Sequence, residues 1–156
     1  MKIIPLSNEK VVLVDDNDYE ILSKYTWYIL KSGNNFYAVR WERIKKIVIL
    51  MHRDILSITD SNVRVDHADH NGLNNQRYNI RIATISQNAC NQIIRKNNTS
   101  GYKGVYKYKD KWTAQIVINK KKTNLGIFIS KVEAAKAYNN AALEYHKEFA
   151  SLNTLT

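Results

Sequence analysis

The 156-residue chain has one cysteine, Cys90. A lone cysteine can form no internal disulfide and no cysteine-based zinc site, so the expected setting is reducing and cytoplasmic. No stretch approaches the roughly 18 consecutive apolar residues of a membrane span, and no membrane partner is expected. The opening MKIIPLSNEK lacks the long apolar core and small-residue cleavage site of a signal peptide. Acidic residues are few: 14 Asp and Glu against 24 Lys and Arg, a net charge of +10. The shortage is uneven. Residues 1–90 hold 12 basic and 10 acidic side chains, whereas residues 91–156 hold 12 and 4. A basic excess supplies the salt-dependent part of nucleic-acid affinity, and its placement predicts a C-terminal binding module.

What is present is enough for packed cores. The apolar fraction is 44%, with ten Tyr and three Trp, and the length fits one domain or two small ones. After the apolar run KVVLV, the acidic residues Asp15, Asp16 and Asp18 read as a helix start, where carboxylates meet exposed N–H groups. The helix is expected over 19–24, burying Ile21, Leu22 and Tyr25. The acidic cluster lacks the glycine and distal glutamate of a calcium loop. Residues 26–30 and 36–41, joined by a turn over 31–35, read as a hairpin. A further strand over 44–51 leads to His52 and Arg53.

The chain is organised around VDHADHNGLNNQRYNIRIATISQN, residues 65–88. Asp66 and His67 end a β-rich run. A loop follows with Asn71, Gly72, Asn74 and Asn75 as turn formers. Asn79 precedes the alternating strand 80–83. Thr84 and Gln87 read as a capping box opening a helix that carries Asn88. Strand, loop, strand and helix bring these polar residues within reach of one another. A neutral imidazole can take a proton from water, and an aspartate with an amide oxygen suits a hard, Mg²⁺-like ion. Adjacent strand residues point to opposite faces, so the strand must end or twist at Asp66 and His67. His67 and His70 lack a third nitrogen or sulfur ligand for zinc.

At these residues the sequence resembles the HNH nucleases, in the branch written D-H-x-D, then asparagine before the second strand, then asparagine on the helix. The resemblance implies a ββα-metal motif. His67 would be the general base, Asp66 and Asn88 the ligands of a divalent ion, Mg²⁺ or Mn²⁺, and Asn79 would pin the loop that orients His67. The third position is Asn88 rather than histidine, as in the homing-endonuclease branch. That branch often carries an HR pair ahead of the motif, and MHRDIL resembles it. His52 after an apolar strand reads as structural. Arg53, with a planar fork that matches phosphate oxygens, reads as a DNA contact.

Residues 95–100 are polar and turn-rich, a linker signal. Beyond them strands are expected over 102–108, 111–118 and 123–128, followed by a helix opened by the capping box of Ser130 and Glu133. Trp112, Ala114, Ile116 and Ile118 alternate with Thr113, Gln115 and Val117. Ala135, Tyr138, Ala142, Tyr145 and Phe149 share one helical face, which leaves the far sheet face uncovered. SGYKGV, KWTAQI, LGIF, EAAKAYNNAA and the closing Leu152-Asn153 resemble the plant APETALA2-type DNA-binding domain. By position, the resemblance nominates Lys103, Tyr106, Tyr108, Gln115, Val117, Lys122 and Asn124 as DNA contacts. Val117 stands where an arginine-like contact to guanine is impossible, so the plant family's target sequence does not carry over.

The expectation is therefore an α+β protein. A β-rich nuclease domain spans 1–94, with its motif at 64–94. A linker spans 95–100, and a three-stranded antiparallel sheet packed on one C-terminal helix spans 101–156. The expected activity is metal-dependent hydrolysis of duplex DNA, of a site-preferring homing type, by a monomer, with a dimer as the other possibility. The rivals are a DNA-binding regulator with an inactive motif and an RNA-acting protein, against which the chain lacks an RRM-type aromatic signature.

Overall fold

Branched aliphatic residues alternating with polar ones form two short strands at the start of the chain. β1 (Lys2–Pro5) and β2 (Val11–Val14) pair antiparallel with Ile4 opposite Val12. Ile4, Val12 and Val14 are buried, whereas Ile3 and Val11 are exposed, the period of two that a one-sided sheet requires. The computed structural model describes residues 1–156 as two compact units, Met1–Thr84 and Ile85–Thr156. The protein is α+β, built from several small antiparallel sheets and a long C-terminal helix. No helix is long and apolar enough to cross a membrane.

In the first unit, α1 (Asp16–Leu22) starts one residue into the acidic cluster, but Asp15 makes no side-chain cap. Its carboxylate instead accepts from Gln76 Nε2 and the Arg77 backbone N–H, at 3.1 and 2.7 Å. Asp18 receives the Arg77 guanidinium at 2.9 and 2.7 Å. The cluster expected to cap a helix thus holds the segment before the second motif strand. Of the three residues expected to be buried on this helix, only Leu22 is; Ile21 and Tyr25 are exposed. Trp27 takes the interior place, donating to the Leu22 carbonyl at 2.8 Å, and Tyr25 lies over the Arg40 guanidinium.

β3 (Tyr28–Ser32), β4 (Asn35–Glu42) and β5 (Ile47–Leu50) form a three-stranded meander. Ser32 pairs with Asn35, so the turn is two residues long; β3 is shifted two residues along from the expected strand, and β4 is one residue longer at each end. α2 (Met51–Ile55) follows β5 directly and carries His52 and Arg53. β6 (Arg64–His67) pairs antiparallel with β7 (Ile80–Ala83). Ile4, Val12, Val14, Leu22, Trp27, Ala38, Met51, Ile55 and Ile80 make one core beneath these elements.

The second unit begins with α3 (Ile85–Cys90), which bears Asn88. β8 (Val105–Tyr108), β9 (Lys111–Ile118) and β10 (Lys121–Phe128) then form a sheet in the order β10-β9-β8. α4 (Lys131–His146) opens with the expected capping box: Ser130 Oγ accepts from Glu133 N–H at 3.1 Å, and Glu133 accepts from Ser130 N–H at 3.2 Å. Ala134, Ala135, Ala141 and Ala142 are buried, and their small size lets the helix lie close to the sheet. Tyr138 and Phe149 are buried as expected, but Tyr145, near the end of α4, is exposed.

The tightest approach is at Gly104. Its φ is +74°, and an added Cβ would lie 2.2 Å from the Tyr138 ring and 2.6 Å from the Gln115 carbonyl oxygen. Gly101, at φ +80°, has open space around the same position. Both alanine variants incur the strain of a positive φ, but only Gly104→Ala also overpacks, at a further cost of about 1–3 kcal/mol. Urea unfolding of the two variants should show that difference; equal destabilisation would mean that Tyr138 yields without cost.

Candidate active site

Pairing β6 with β7 puts Asp66 opposite Arg81 and His67 opposite Ile80. Asp66 and His67 are both buried at 6% exposure, although they are neighbours on one strand. β6 ends at His67, and the Ala68 N–H turns back to the Asn79 carbonyl at 2.8 Å. One Asp66 oxygen receives Arg81 Nη2 at 2.7 Å and Nε at 2.9 Å. This cross-strand pair of opposite charges orients the carboxylate.

The polar loop between the strands is held from within. Asn79, 1% exposed, donates through Nδ2 to Asp69 Oδ1 at 2.9 Å and to the Asn74 carbonyl at 2.7 Å, and its Oδ1 accepts from Asp69 N–H at 3.0 Å. Asp69 also receives Asn74 Nδ2 and Asn71 N–H. Desolvation would raise the pKa of Asp69, but the hydrogen bonds from Asn74, Asn71 and Asn79 outweigh it and hold the carboxyl below its ordinary value. Outside the loop, Asn35 bonds the His70 carbonyl and Gly72 N–H. A Cβ on Gly72 would meet the Phe36 carbonyl oxygen at 2.4 Å, so only glycine lets the loop lie this close to β4.

His67 lies among aromatic rings. Its ring centroid is 5.0 Å from that of His52, nearly perpendicular, and 5.9 Å from that of Tyr37. Its Nε2 is 2.9 Å from Asn75 Oδ1. Burial lowers the His67 pKa, against the opposing effects of the Asn75 hydrogen bond and the Asp69 and Asp66 charges. Burial, with help from His67 and Arg53, carries His52 down to about 3. Both rings are therefore neutral near pH 7.

No family model matches the chain, and no solved structure does. Among curated proteins, the chain is 36% identical over 143 residues to an uncharacterized HNH endonuclease of Acanthamoeba polyphaga mimivirus. The match covers 88% of this chain and 71% of that protein. The chain belongs to the HNH endonuclease family.

Of the residues expected to form the HNH site, Asp66, His67 and Asn79 come together in the first unit. Asn88 lies half-buried on α3 in the second. An Asp66 carboxylate and an Asn88 amide are hard oxygen donors. No group of three His, Cys, Asp or Glu side chains forms a cage for a metal ion. Three residues next to the expected ones were not named as site residues in advance: Arg81, Asn75, which read as a turn former, and His52, which read as structural. Arg81 was within reach of sequence reasoning, since antiparallel pairing of the two motif strands sets it against Asp66. Asn75 read only as a turn former, and nothing in its periodicity marks its contact with His67.

The expected DNA contacts divide into two groups. In the register of β8, β9 and β10, Tyr106, Tyr108, Gln115, Val117, Lys122 and Asn124 share one sheet face. Tyr106, Tyr108, Val117 and Lys122 are exposed there, while Asn124 Oδ1 accepts from Gly126 N–H at the β10 bulge. The face is not wholly bare: Ile93, Ile94 and Asn97 help wall a cavity of about 620 Å³ against Tyr106, Gln115 and Lys122. Lys103 and Arg53 point elsewhere. Lys103 Nζ donates to the Cys90 and Gln92 carbonyls at 2.6 and 2.7 Å. The Arg53 guanidinium donates to the Val63 carbonyl at 2.7 Å and to the Asp60 carbonyl.

The neutral histidines have a consequence for stability. A histidine at about 3 when folded and about 6.5 when unfolded binds its proton first in the unfolded chain, so stability falls as pH drops from 6.5 toward 3. The fall is at most about 1.4 kcal/mol per pH unit for each such group, and His67 adds a term of the same sign. Urea unfolding across this range should show a shallower fall for His52→Phe than for the parent. An unchanged slope would show that His52 takes up its proton in the folded state.

Proposed function

We propose that this HNH endonuclease hydrolyses phosphodiester bonds of duplex DNA with a divalent metal ion, Mg²⁺ or Mn²⁺, and that its activity is of the site-preferring homing type. The observation that carries the reading is His67: a buried, neutral imidazole beside the Asp66 carboxylate, at the end of a strand whose loop is fixed by Asn79. His67 takes a proton from the attacking water. Asn79 acts at a distance, holding Asp69 and Asn74 so that the loop keeps His67 in place. Asp66 and Asn88 would hold the ion, which supplies charge neutralisation for the scissile phosphate and the departing 3′ oxygen.

The second unit is proposed to bind the duplex in the manner of an APETALA2-type domain, through the sheet face bearing Tyr106, Tyr108, Gln115, Val117, Lys122 and Asn124. Donors, aromatics and a cation on one face suit groove and backbone contacts, and the basic excess of residues 91–156 supports the same partner. For Arg53 or Lys103 to touch phosphate, each would first give up carbonyl partners inside the protein. A second reading, a DNA-binding regulator that does not cut, draws on the Asp66–Arg81 ion pair, which already engages the carboxylate an ion needs. Supercoiled plasmid incubated with Mg²⁺ or with chelator separates the two: metal-dependent nicking supports the enzyme, and tight binding without cleavage supports the regulator.

His67→Ala should leave folding and DNA affinity nearly unchanged and slow cleavage about a hundredfold or more, the scale for loss of a general base. The base must be neutral to act, and burial lowers its pKa. Cleavage by the parent should therefore persist to lower pH than an ordinary histidine at about 6.5 would allow. Near-normal cleavage by folded His67→Ala would end this mechanism.

Lys122→Ala should reduce the salt dependence of DNA binding by about one unit of slope, as expected for one lost phosphate contact. Lys103→Ala should leave that slope unchanged if its ammonium stays on the Cys90 and Gln92 carbonyls. A slope that falls for Lys103→Ala and not for Lys122→Ala would reverse the assignment.

A further inference from the structure

Strand β9 is longer than its neighbour. Its pairing with β8 runs from Tyr108 opposite Lys111 to Val105 opposite Ala114. One more bond, from the Gln115 N–H to the Gly104 carbonyl at 2.7 Å, ends the contact. Residues 116–118 therefore have β10 along one edge and no strand along the other. Where β8 would continue there is the cavity of about 620 Å³, bounded by residues 115–117 and Lys122 of the sheet and by residues between 92 and 99 of the segment that precedes β8.

That segment has the composition of a linker, but it is fastened at both ends. Lys103 Nζ donates to the Cys90 and Gln92 carbonyls at 2.6 and 2.7 Å. The Asn98 N–H closes a turn on the Arg95 carbonyl at 3.0 Å. The Asn98 side chain donates to the Tyr102 carbonyl at 3.0 Å and accepts from the Ser100 hydroxyl at 3.0 Å and the Gly101 N–H at 2.8 Å. The segment is thus a standing wall, and a ligand meets a cavity already formed, which lowers the cost of binding.

The chemistry of the cavity is one-sided. Arg95 on the wall and Lys122 on the sheet both line it and are exposed, and no aspartate or glutamate lines it. Tyr106, 52% exposed, adds an aromatic ring. Cations for phosphates and a ring on which a base stacks are the two parts of a single-strand site. A duplex, with its bases paired inside two backbones, suits the open face of a sheet. A space between two walls suits one backbone with unpaired bases. We propose that this cavity binds an unpaired nucleic-acid strand, with Arg95 and Lys122 on its phosphates and Tyr106 against a base. The site goes beyond the duplex contact proposed for the sheet face: Tyr106, Gln115, Val117 and Lys122 belong to both surfaces, and Arg95 to the cavity alone. A nicked duplex has such a strand wherever an end leaves its partner.

Fluorescence anisotropy on the full-length protein, in chelator, tests this with a labelled oligothymidylate of about 12 nucleotides, within the usual span of a single-strand site, and a duplex of the same length. The parent should bind the single strand with an affinity that falls with salt. Arg95→Ala should reduce that salt slope by about 0.7, the value for one phosphate of a single strand, and leave the duplex slope unchanged. Tyr106→Ala should weaken single-strand binding about fivefold or more, the scale of one lost base stack. Lys96→Ala is the control: the residue is exposed beside Arg95 but does not line the cavity, and its loss should leave the strand slope unchanged. All three side chains are exposed, so the variants should fold. Three results would each overturn the proposal: no binding of the single strand by the parent, equal losses from Arg95→Ala and Lys96→Ala, or equally tight binding of an acidic peptide of the same charge. Loss of duplex binding with single-strand binding intact would remove the sheet-face reading alone, so the two failures are distinguishable.

Discussion

The site depends on the hydrogen bonds of one buried amide. Asn79 uses both ends of its side chain to close the loop between β6 and β7, with three bonds of 3.0 Å or less to Asp69 and Asn74. A buried polar group with no partner is costly, and a loop of asparagines would ordinarily remain in water. Here Asn79, Asn74 and Asp69 meet one another's needs, so the loop can lie close to β4 and to the His67 ring, with only Asn75 Nδ2 buried without a partner. Remove that closure and Asp69, Asn74 and the approach of Gly72 to Phe36 all lose their reason to hold. The hydrophobic core of the first unit supports this arrangement from below, through Ile80 at the start of β7.

The second unit solves a different problem. Three strands and one helix have little volume to bury, and the alanine-rich face of α4 makes up for this by close approach. Asn153 secures the far end: its side chain accepts from Lys103 N–H and donates to the Lys103 carbonyl, while its backbone is paired with Asn139. His146 Nε2 meets the Val117 carbonyl at 2.9 Å, where β9 runs past the end of β8. With one face of the sheet committed to the helix, the polar and aromatic residues on the other can serve a partner.

Much of this was legible in the residue pattern. The capping box at Ser130, the strand over 111–118 and the paired motif strands each follow from local signals that agree with their surroundings. The departures arise where a side chain serves a distant element instead of its own neighbours. Asp15 reads as a cap because caps are local, but its oxygens go to Gln76 and Arg77, some sixty residues on. Tyr25 and Tyr145 have the spacing of buried positions, but tyrosine tolerates the surface when its ring can cover a cation or its hydroxyl can stay wet. Asn75 was hidden for the same reason. Its meaning lies in a contact with β2 and another with His67, and neither leaves a trace in spacing. The β6–β7 pairing was readable, and with it the Asp66–Arg81 pair.

The half-buried side chain of Lys103 bears on how this protein can be taken apart. Its two acceptors, the carbonyls of Cys90 and Gln92, are at and just past the end of α3, ahead of the polar stretch that looks like the natural place to cut. Burial already depresses the Lys103 pKa, so the charge tolerates its position because those carbonyls are there. A fragment beginning within residues 95–100 would keep the lysine and discard its two carbonyl acceptors, leaving the ammonium to water. The Lys103 contacts thus tie the end of α3, the helix bearing Asn88, to the segment that leads into β8 within the second unit.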